Sequence, residues 1–453
     1  MNVVLVVCDT LRADHVGAYG ATLPTTPWMD RLAAEGVRFA RCWSPHIPTH
    51  PAHTTLLSGL DAFAHRVVAH GGTQEPPAAL PWLPSLLDAA GVFTAAADNL
   101  GRWVARGFRR YESYAIEASP DGYWRKADAV LDAVRRLVPE VRAAARAGRH
   151  TFLFVHFWDP HTPYCPPPPF DRMFYDGDER RPDEHGLDAL WAFEPFRDYF
   201  RAWMPGVTDR AFPRAQYAAA VRYLDHGLER LWVLLGAAGL LEDALVLVTA
   251  DHGEELGEHG IWFDHHGLYE TNLRVPLLAW GPGRVPRGPV VTEPVALTDL
   301  APTVLRALGL PVPEGLCGRD LAAAWRGEAL EPLGPLYCTE CTWMKKRAWR
   351  EGRYKLIVSL EPDFHGGPEV ELYDLEADPG ETSNLAFVRR DLAEELRARM
   401  EAHVAQRVAE TGAPDPLQTE RVSSRRIGPP GAAPPVSEEE RERVSRRLAQ
   451  LGY

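Results

Sequence analysis

The sequence predicts an α/β fold with a mostly parallel sheet sandwiched by helices, followed by a small α+β domain. Short apolar runs recur at 2–8 (NVVLVVC), 151–157 (TFLFVHF), 244–250 (ALVLVTA) and 275–280 (VPLLAW). Such runs suit strands buried on both faces. Helix-length segments with apolar residues at helical spacing separate them. Asp9, Asp159, His161, Asp251 and His252 follow the runs directly. In open α/β sheets ligands bind at that carboxyl edge.

The elements follow in order. After the first strand, TPWMDRLAAEGVRF reads as a helix ending near Gly36. A helix signal begins near Ala52 and runs through HTTLLSGL. Residues 82–91 read as an amphipathic helix, VFTAAA as a strand and 123–147 as a long helix rich in Ala and Arg. Another helix covers 216–240. Residues 166–215 open with four prolines and are too long for an ordinary connection. A lid or insertion and a plain surface excursion both stay open there. Beyond 335 the texture changes to strand-like pieces (RYKLIVSL, EVELYDL) and a charged helix near 390–408. A Pro/Gly-rich linker and a helix with a Ser437/Glu440 capping box close the chain. The expected division is 1–330, 335–410 and 411–453.

The chain has 453 residues, 45% of them hydrophobic, ample for a large core. Its formal net charge of -13 argues against a nucleic-acid or anionic-membrane binder. It does not exclude an anionic substrate, because a bound metal reverses the local field. MNVVLVVCDTLRADH lacks a basic flank and a cleavage site, so it reads as a strand and not as a signal peptide. No run approaches the roughly 18 apolar residues of a membrane span. Cytoplasmic residence is the expectation, with the six scattered cysteines as reduced thiols.

Asp9, Asp251 and His252 offer two carboxylates and an imidazole, a ligand set for Zn²⁺, Mn²⁺ or a similar divalent ion. Gly253 lets the backbone turn closely beside them. In PTHPAHTTLLSG, Pro51 suits the first turn of a helix, which puts Thr49 at or just before an N-terminus that favours anions. A hydroxyl there is either an N-cap or a metal-bound nucleophile. Asp159 and His161 lie between prolines in DPHTPY, and His265 and His266 follow Asp264. Such histidines ligate a second metal, bind the anionic group or protonate a leaving oxygen.

Taken together, these segments resemble the sulfatase-like branch of the alkaline phosphatase superfamily. The resemblance runs from NVVLVVCDTLRADHVGAYG through HFWDPHTPY, VTADHGEELGEHG and YETNLRVPLLAWGPG to RYKLI and ELYDLEADPGETSNLA. It implies an alkaline phosphatase-like fold and a divalent ion (Zn, Mn or Ca, one or two). It implies that Asp9, Asp251 and His252 bind the metal and that His161 contacts the anionic group or leaving oxygen. THPAHTTLLSG matches the segment written Cys/Ser-x-Pro-x-Arg in sulfatases. Here Thr49 stands at the position oxidised to formylglycine, and its β-methyl group forbids an aldehyde. His53 replaces the arginine, and Asp264-His265 replaces an expected lysine. Asn99 and Arg102 fall near a substrate-contacting lysine. Threonine at this position resembles the phosphodiesterase and phosphomutase branches, which use two metals. Asp159, His161 and His265, with His53 nearby, are the candidate second set.

The expectation is therefore a metal-dependent hydrolase of small anionic phosphoric or phosphonate esters. Thr49, His161 and His265 would be catalytic, Asp9, Thr49, Asp251 and His252 would hold metal, and His53, Asn99 and Arg102 would contact substrate. A sulfatase without formylglycine and a catalytically silent binding protein are the rivals. No nucleic-acid or membrane partner is expected, and a homo-oligomer stays open.

Overall fold

The computed structural model describes residues 1–421. An eight-stranded sheet forms its centre. The strands are β1 (Asn2–Cys8), β2 (Val37–Phe39), β3 (Phe93–Ala97), β4 (Arg110–Glu112), β5 (Thr151–Phe157), β6 (Ala244–Ala250), β7 (Leu277–Trp280) and β8 (Val290–Val291). Their order is β8-β2-β7-β6-β1-β5-β3-β4. Every pairing in this sheet is parallel except those of β7 with β6 and β2. The VPLLAW run is thus a strand, but a reversed one.

Register decides where the chemistry falls. Asn2 pairs with both Thr151 and Ala244, and Cys8 with both Phe157 and Ala250. Three central strands therefore end flush, and the residues after them, Asp9, Trp158 and Asp251, emerge side by side. Every residue of the three strands is buried, which is why their sequences read as unbroken apolar runs.

The main helices flanking the sheet are α1 (Pro27–Glu35), α2 (Thr49–Ser58), α3 (Lys126–Arg146) and α4 (Ala211–Ala237). Thus α2 begins three residues before Ala52, and α4 five residues before 216. The 166–215 segment is an insertion with a packed second half. It carries two short helices, Asp188–Ala192 and Glu194–Trp203, and buries Leu187, Leu190, Phe196 and Phe200 in the main core.

An antiparallel meander follows: β9 (Leu336–Glu340), β10 (Lys346–Glu351), β11 (Tyr354–Ser359) and β12 (Val370–Asp374). Helix α5 (Arg390–Thr411) packs Ala393, Leu396 and Met400 against Trp349, Leu356 and Leu372. The other face joins the main core through Leu336, Cys338 and Ile357. The proposed terminal helix after Ser437 lies outside the described residues. All six cysteines are free thiols. No described helix is long and apolar enough to cross a membrane.

The two large helices on one face are locked by a remote cap. The N-terminus of α1 has no side-chain cap of its own. Asp225 of α4 accepts hydrogen bonds from Trp28 N and Met29 N, both at 2.9 Å. Both donors are buried, so removing the carboxylate leaves them unpaired. We expect Asp225→Ala to cost about 2–4 kcal/mol of folding free energy, measured by denaturant unfolding. An unchanged midpoint would show the cap to be idle.

Candidate active site

Asp9 and Asp251 leave the ends of β1 and β6 into the same buried space. Each is fully inaccessible to solvent. Thr10 adopts a left-handed backbone (φ 58°), an uncommon conformation for a threonine. It directs its N–H to Asp251 Oδ1 at 3.2 Å. His252 N donates to the same oxygen at 2.9 Å. The other oxygen, Asp251 Oδ2, has no hydrogen-bond partner, and neither has either carboxylate oxygen of Asp9.

Three histidines close around these oxygens. His252 Nδ1 donates to Gly253 O at 3.0 Å, and His53 Nδ1 to Thr49 O at 2.9 Å. His156 Nδ1 donates to Asp98 Oδ1 at 2.7 Å. With Nδ1 so engaged, His252 and His156 turn Nε2 inward, whereas His53 approaches Asp251 Oδ2 with Nδ1, at 3.6 Å. His252 Nε2 lies 3.3 Å from Asp251 Oδ2 and 3.7 Å from Asp9 Oδ1. His156 Nε2 lies 3.4 Å from Asp9 Oδ2. His53 Nε2 and His156 Nε2 have no hydrogen-bond partner. The donor atoms converge in two overlapping sets, Asp9/Asp251/His252 and His53/His156/Asp251. Buried, unpaired carboxylates facing imidazole nitrogens suit a divalent ion of the zinc or manganese type.

Electrostatics agree. Burial and the neighbouring Asp251 charge raise the Asp9 pKa, and His156 and His252 compensate its ionised form only in part. Burial would lower His156, but the neighbouring carboxylates of Asp9 and Asp98 carry it up to about 10. Burial and the charge of His156 push His53 down to about 4.

Thr49 is the first residue of α2, after Pro48 at the N-cap. It is therefore not the cap. Its hydroxyl oxygen lies 3.2 Å from His252 Nε2 and is buried with the carboxylates. The first turn of α2 places free N–H groups and the positive end of the helix dipole beside it.

The remaining candidates divide. His265 stacks on His252, ring centroids 4.8 Å apart, and His161 lies 4.9 Å from His265. Both thus line the same space. Burial lowers both pKa values, that of His265 to about 4. Asn99 follows Asp98 at the end of β3, half-buried, with its Oδ1 unpartnered. Arg102 is not brought in. It is exposed, pairs with Glu75 at 2.9 Å and lies over the Trp103 ring. The second metal set of Asp159, His161 and His265 is not assembled. Asp159 belongs to none of the converging groups among the described residues. Its buried carboxyl, raised in pKa by burial, faces the Lys126 ammonium. Lys126 in turn donates to the carbonyl oxygens of His161 and Pro163.

Sequence reasoning missed His156 and Asp98. His156 sits inside TFLFVHF, where a single imidazole reads as part of a buried strand. The available signal was a pair: an in-strand histidine one residue before the strand end, and a carboxylate just after the VFTAAA strand.

Gly253 is fixed by close approach. A Cβ there would lie 1.8 Å from Thr271 O, and Gly253 N donates to Asn272 O at 2.8 Å. We expect Gly253→Ala to destabilise the fold by about 3 kcal/mol or more and to weaken divalent-ion binding at Asp251 and His252. Unfolding curves and metal titration check this, and wild-type behaviour in both would refute the constraint.

Comparisons with known proteins place this geometry. The Sulfatase family model matches residues 1–310, and the model for the C-terminal region of N-sulphoglucosamine sulphohydrolase matches residues 257–410. The chain is 33% identical over 246 residues to a choline-sulfatase of Rhizobium meliloti, a match spanning 52% of this chain and 46% of that protein. It is 26% identical to a Δ4,5-hexuronate-2-O-sulfatase of Bacteroides thetaiotaomicron over 85% of this chain and 84% of that protein. The fold is similar to the phosphonate monoester hydrolase of Agrobacterium radiobacter, with a TM-score of 0.69 and 23% identity. That likeness covers 90% of this chain and 96% of the other.

Proposed function

The chain belongs to the sulfatase family, and on that premise we propose that it is a metal-dependent hydrolase of phosphoric or phosphonate esters with Thr49 as nucleophile. Kinship with sulfatases and the likeness to a phosphonate monoester hydrolase support ester hydrolysis as the activity class. The observation that carries the finer reading is the placement of Thr49 Oγ, 3.2 Å from His252 Nε2 at the start of a helix.

Asp9, Asp251 and His252 would hold the ion, with His53 and His156 as further donors. Once bound, it would favour the alkoxide of Thr49 and neutralise charge on the ester's non-bridging oxygens. Thr49 Oγ gives its proton to solvent and forms a bond to phosphorus, while the bond from phosphorus to the leaving oxygen breaks. Water then cleaves the phosphothreonine, restoring the hydroxyl and releasing the acid. The free N–H groups of α2 face the incoming anion. His161 and His265, held neutral by burial, would line the path of the departing oxygen, and solvent supplies its proton. His156, oriented by Asp98, presents its Nε2 to Asp9.

Sulfuric ester hydrolysis is the second reading, favoured by the sulfatase relatives named above. A silent binding protein is disfavoured by the unpaired, buried Asp9 and Asp251, which are costly without a cation.

Thr49→Ala is expected to lower kcat for a phosphodiester or phosphonate monoester at least about 10³-fold. Rapid quench of the wild type should leave phosphate on the peptide containing Thr49. Full activity of the variant would end the nucleophile assignment, and preferred turnover of an aryl sulfate would make the second reading primary. Exhaustive chelation should abolish turnover, and Zn²⁺ or Mn²⁺ should restore it.

A further inference from the structure

A second group of metal-type donors lies beside the site, built by parts of the chain distant in sequence. Asp264 ends the second strand of a short hairpin, Glu255–Leu256 with Trp262–Asp264. His266 follows two residues later, and His365 arrives from the C-terminal module. The side chains of Asp264, His266 and His365 are 2%, 0% and 4% exposed. The two imidazoles point Nε2 at the two oxygens of one carboxylate. His266 Nε2 lies 3.5 Å from Asp264 Oδ1, and His365 Nε2 lies 3.9 Å from Asp264 Oδ2. Neither Nε2 has a hydrogen-bond partner.

These separations are diagnostic. An N–H···O hydrogen bond closes to about 2.7–3.2 Å, so neither nitrogen is simply bonded to the carboxylate. Donors bound at about 2.0–2.2 Å around a tetrahedral ion stand roughly 3.4 Å from each other. The donor atoms of Asp264, His265 and His266 converge, with His265 Nδ1 3.8 Å from Asp264 Oδ1 and 3.8 Å from Glu254 Oε2.

The surroundings are those of a ligand set. His266 Nδ1 donates to Glu340 Oε1, and Glu340 Oε2 accepts from Gly267 N at 2.7 Å. A carboxylate on the far ring nitrogen fixes the tautomer and leaves Nε2 as the donor. Asn272 Nδ2 holds the same turn through His266 O and Gly267 O, at 2.8 and 2.9 Å. The His365 ring stacks on Phe193 of the insertion, centroids 5.1 Å apart.

We propose that Asp264, His265 and His266 form a second divalent-metal site of the zinc type, with His365 as a further donor at the other Asp264 oxygen and Glu340 orienting His266. It is separate from the set at Asp9, Asp251 and His252 and touches it through the stacked pair His265 and His252. It joins the hairpin to the C-terminal module, where Glu340 and His365 originate. The inference holds whether or not Thr49 is the nucleophile.

Metal content and Co²⁺ spectra of the full-length protein test this without an assay of turnover. Wild type reloaded after chelation should hold about one more ion per chain than His365→Gln or His266→Gln. Asp251→Asn, which disables the first set, should still bind one Co²⁺ with the visible absorption of a tetrahedral site. Glu340→Gln should bind Zn²⁺ about 10–100-fold more weakly at this site. Far-UV circular dichroism of the metal-free proteins reports whether each variant folds. Should the histidine variants fail to fold, Asp251→Asn decides alone: an absent tetrahedral Co²⁺ signal overturns the proposal. Unchanged stoichiometry and spectra in folded His266→Gln and His365→Gln overturn it as well.

Discussion

Two like-charged carboxylates, buried side by side, are the constraint on which the rest of the site depends. Asp9 and Asp251 meet because β1 and β6 start and end in register. Among the described residues neither pairs with a lysine or arginine, and histidines alone face them. The surroundings supply instead a restricted set of neutral and dipolar partners: the Thr10 and His252 amides on one Asp251 oxygen, imidazole nitrogens, and the start of α2. The oxygens left over are those facing the histidines. A cation resolves this arrangement, and a polar anionic ester brought to that cation meets Thr49 at once.

The histidines are specified by what holds their outer nitrogens. Gly253 O, Thr49 O, Asp98 and Glu340 each take an Nδ1. In His252, His156 and His266 the ring's other nitrogen is turned toward a carboxylate. Backbone carbonyls orient two of the four and carboxylates the other two. That difference matters electrostatically. The carboxylates on both nitrogens of His156 raise its pKa, whereas His53, bonded to a carbonyl, is driven toward the neutral form by burial and by His156.

The insertion and the C-terminal module both reach the neighbourhood of the site. Phe196 packs against Trp343 and Phe364, with centroids 5.5 Å apart in both cases. Phe193 covers His365. Buried ion pairs and hydrogen bonds tie the module to the main sheet's loops, among them Lys355 with Glu270 at 3.1 Å and Tyr269 with Glu371 at 2.7 Å. The late part of the chain therefore shapes one wall of the functional region.

Much of this was legible in the sequence. Unbroken apolar runs marked β1, β5 and β6 to the residue, because strands buried on both faces admit little else. The reactive residues directly after them revealed the carboxyl edge, and a proline in the first turn of α2 revealed the position of Thr49. What the sequence could not decide was lateral: which strand ends lie beside which, and in what register. That is why His156 and Asp98 were passed over, since their meaning arises from the alignment of β3, β5 and β1. The same reason explains Asp159, whose side chain faces Lys126 of α3, and Arg102, which turns to Glu75. It also explains Glu340 and His365, which come together with Asp264 and His266 only through long-range packing of the C-terminal module. The amino-acid order by itself determined which residues stand at the ends of buried strands. The tertiary structure decided which of them share a space, because distance between side chains is set by strand register and module packing, not by separation along the chain.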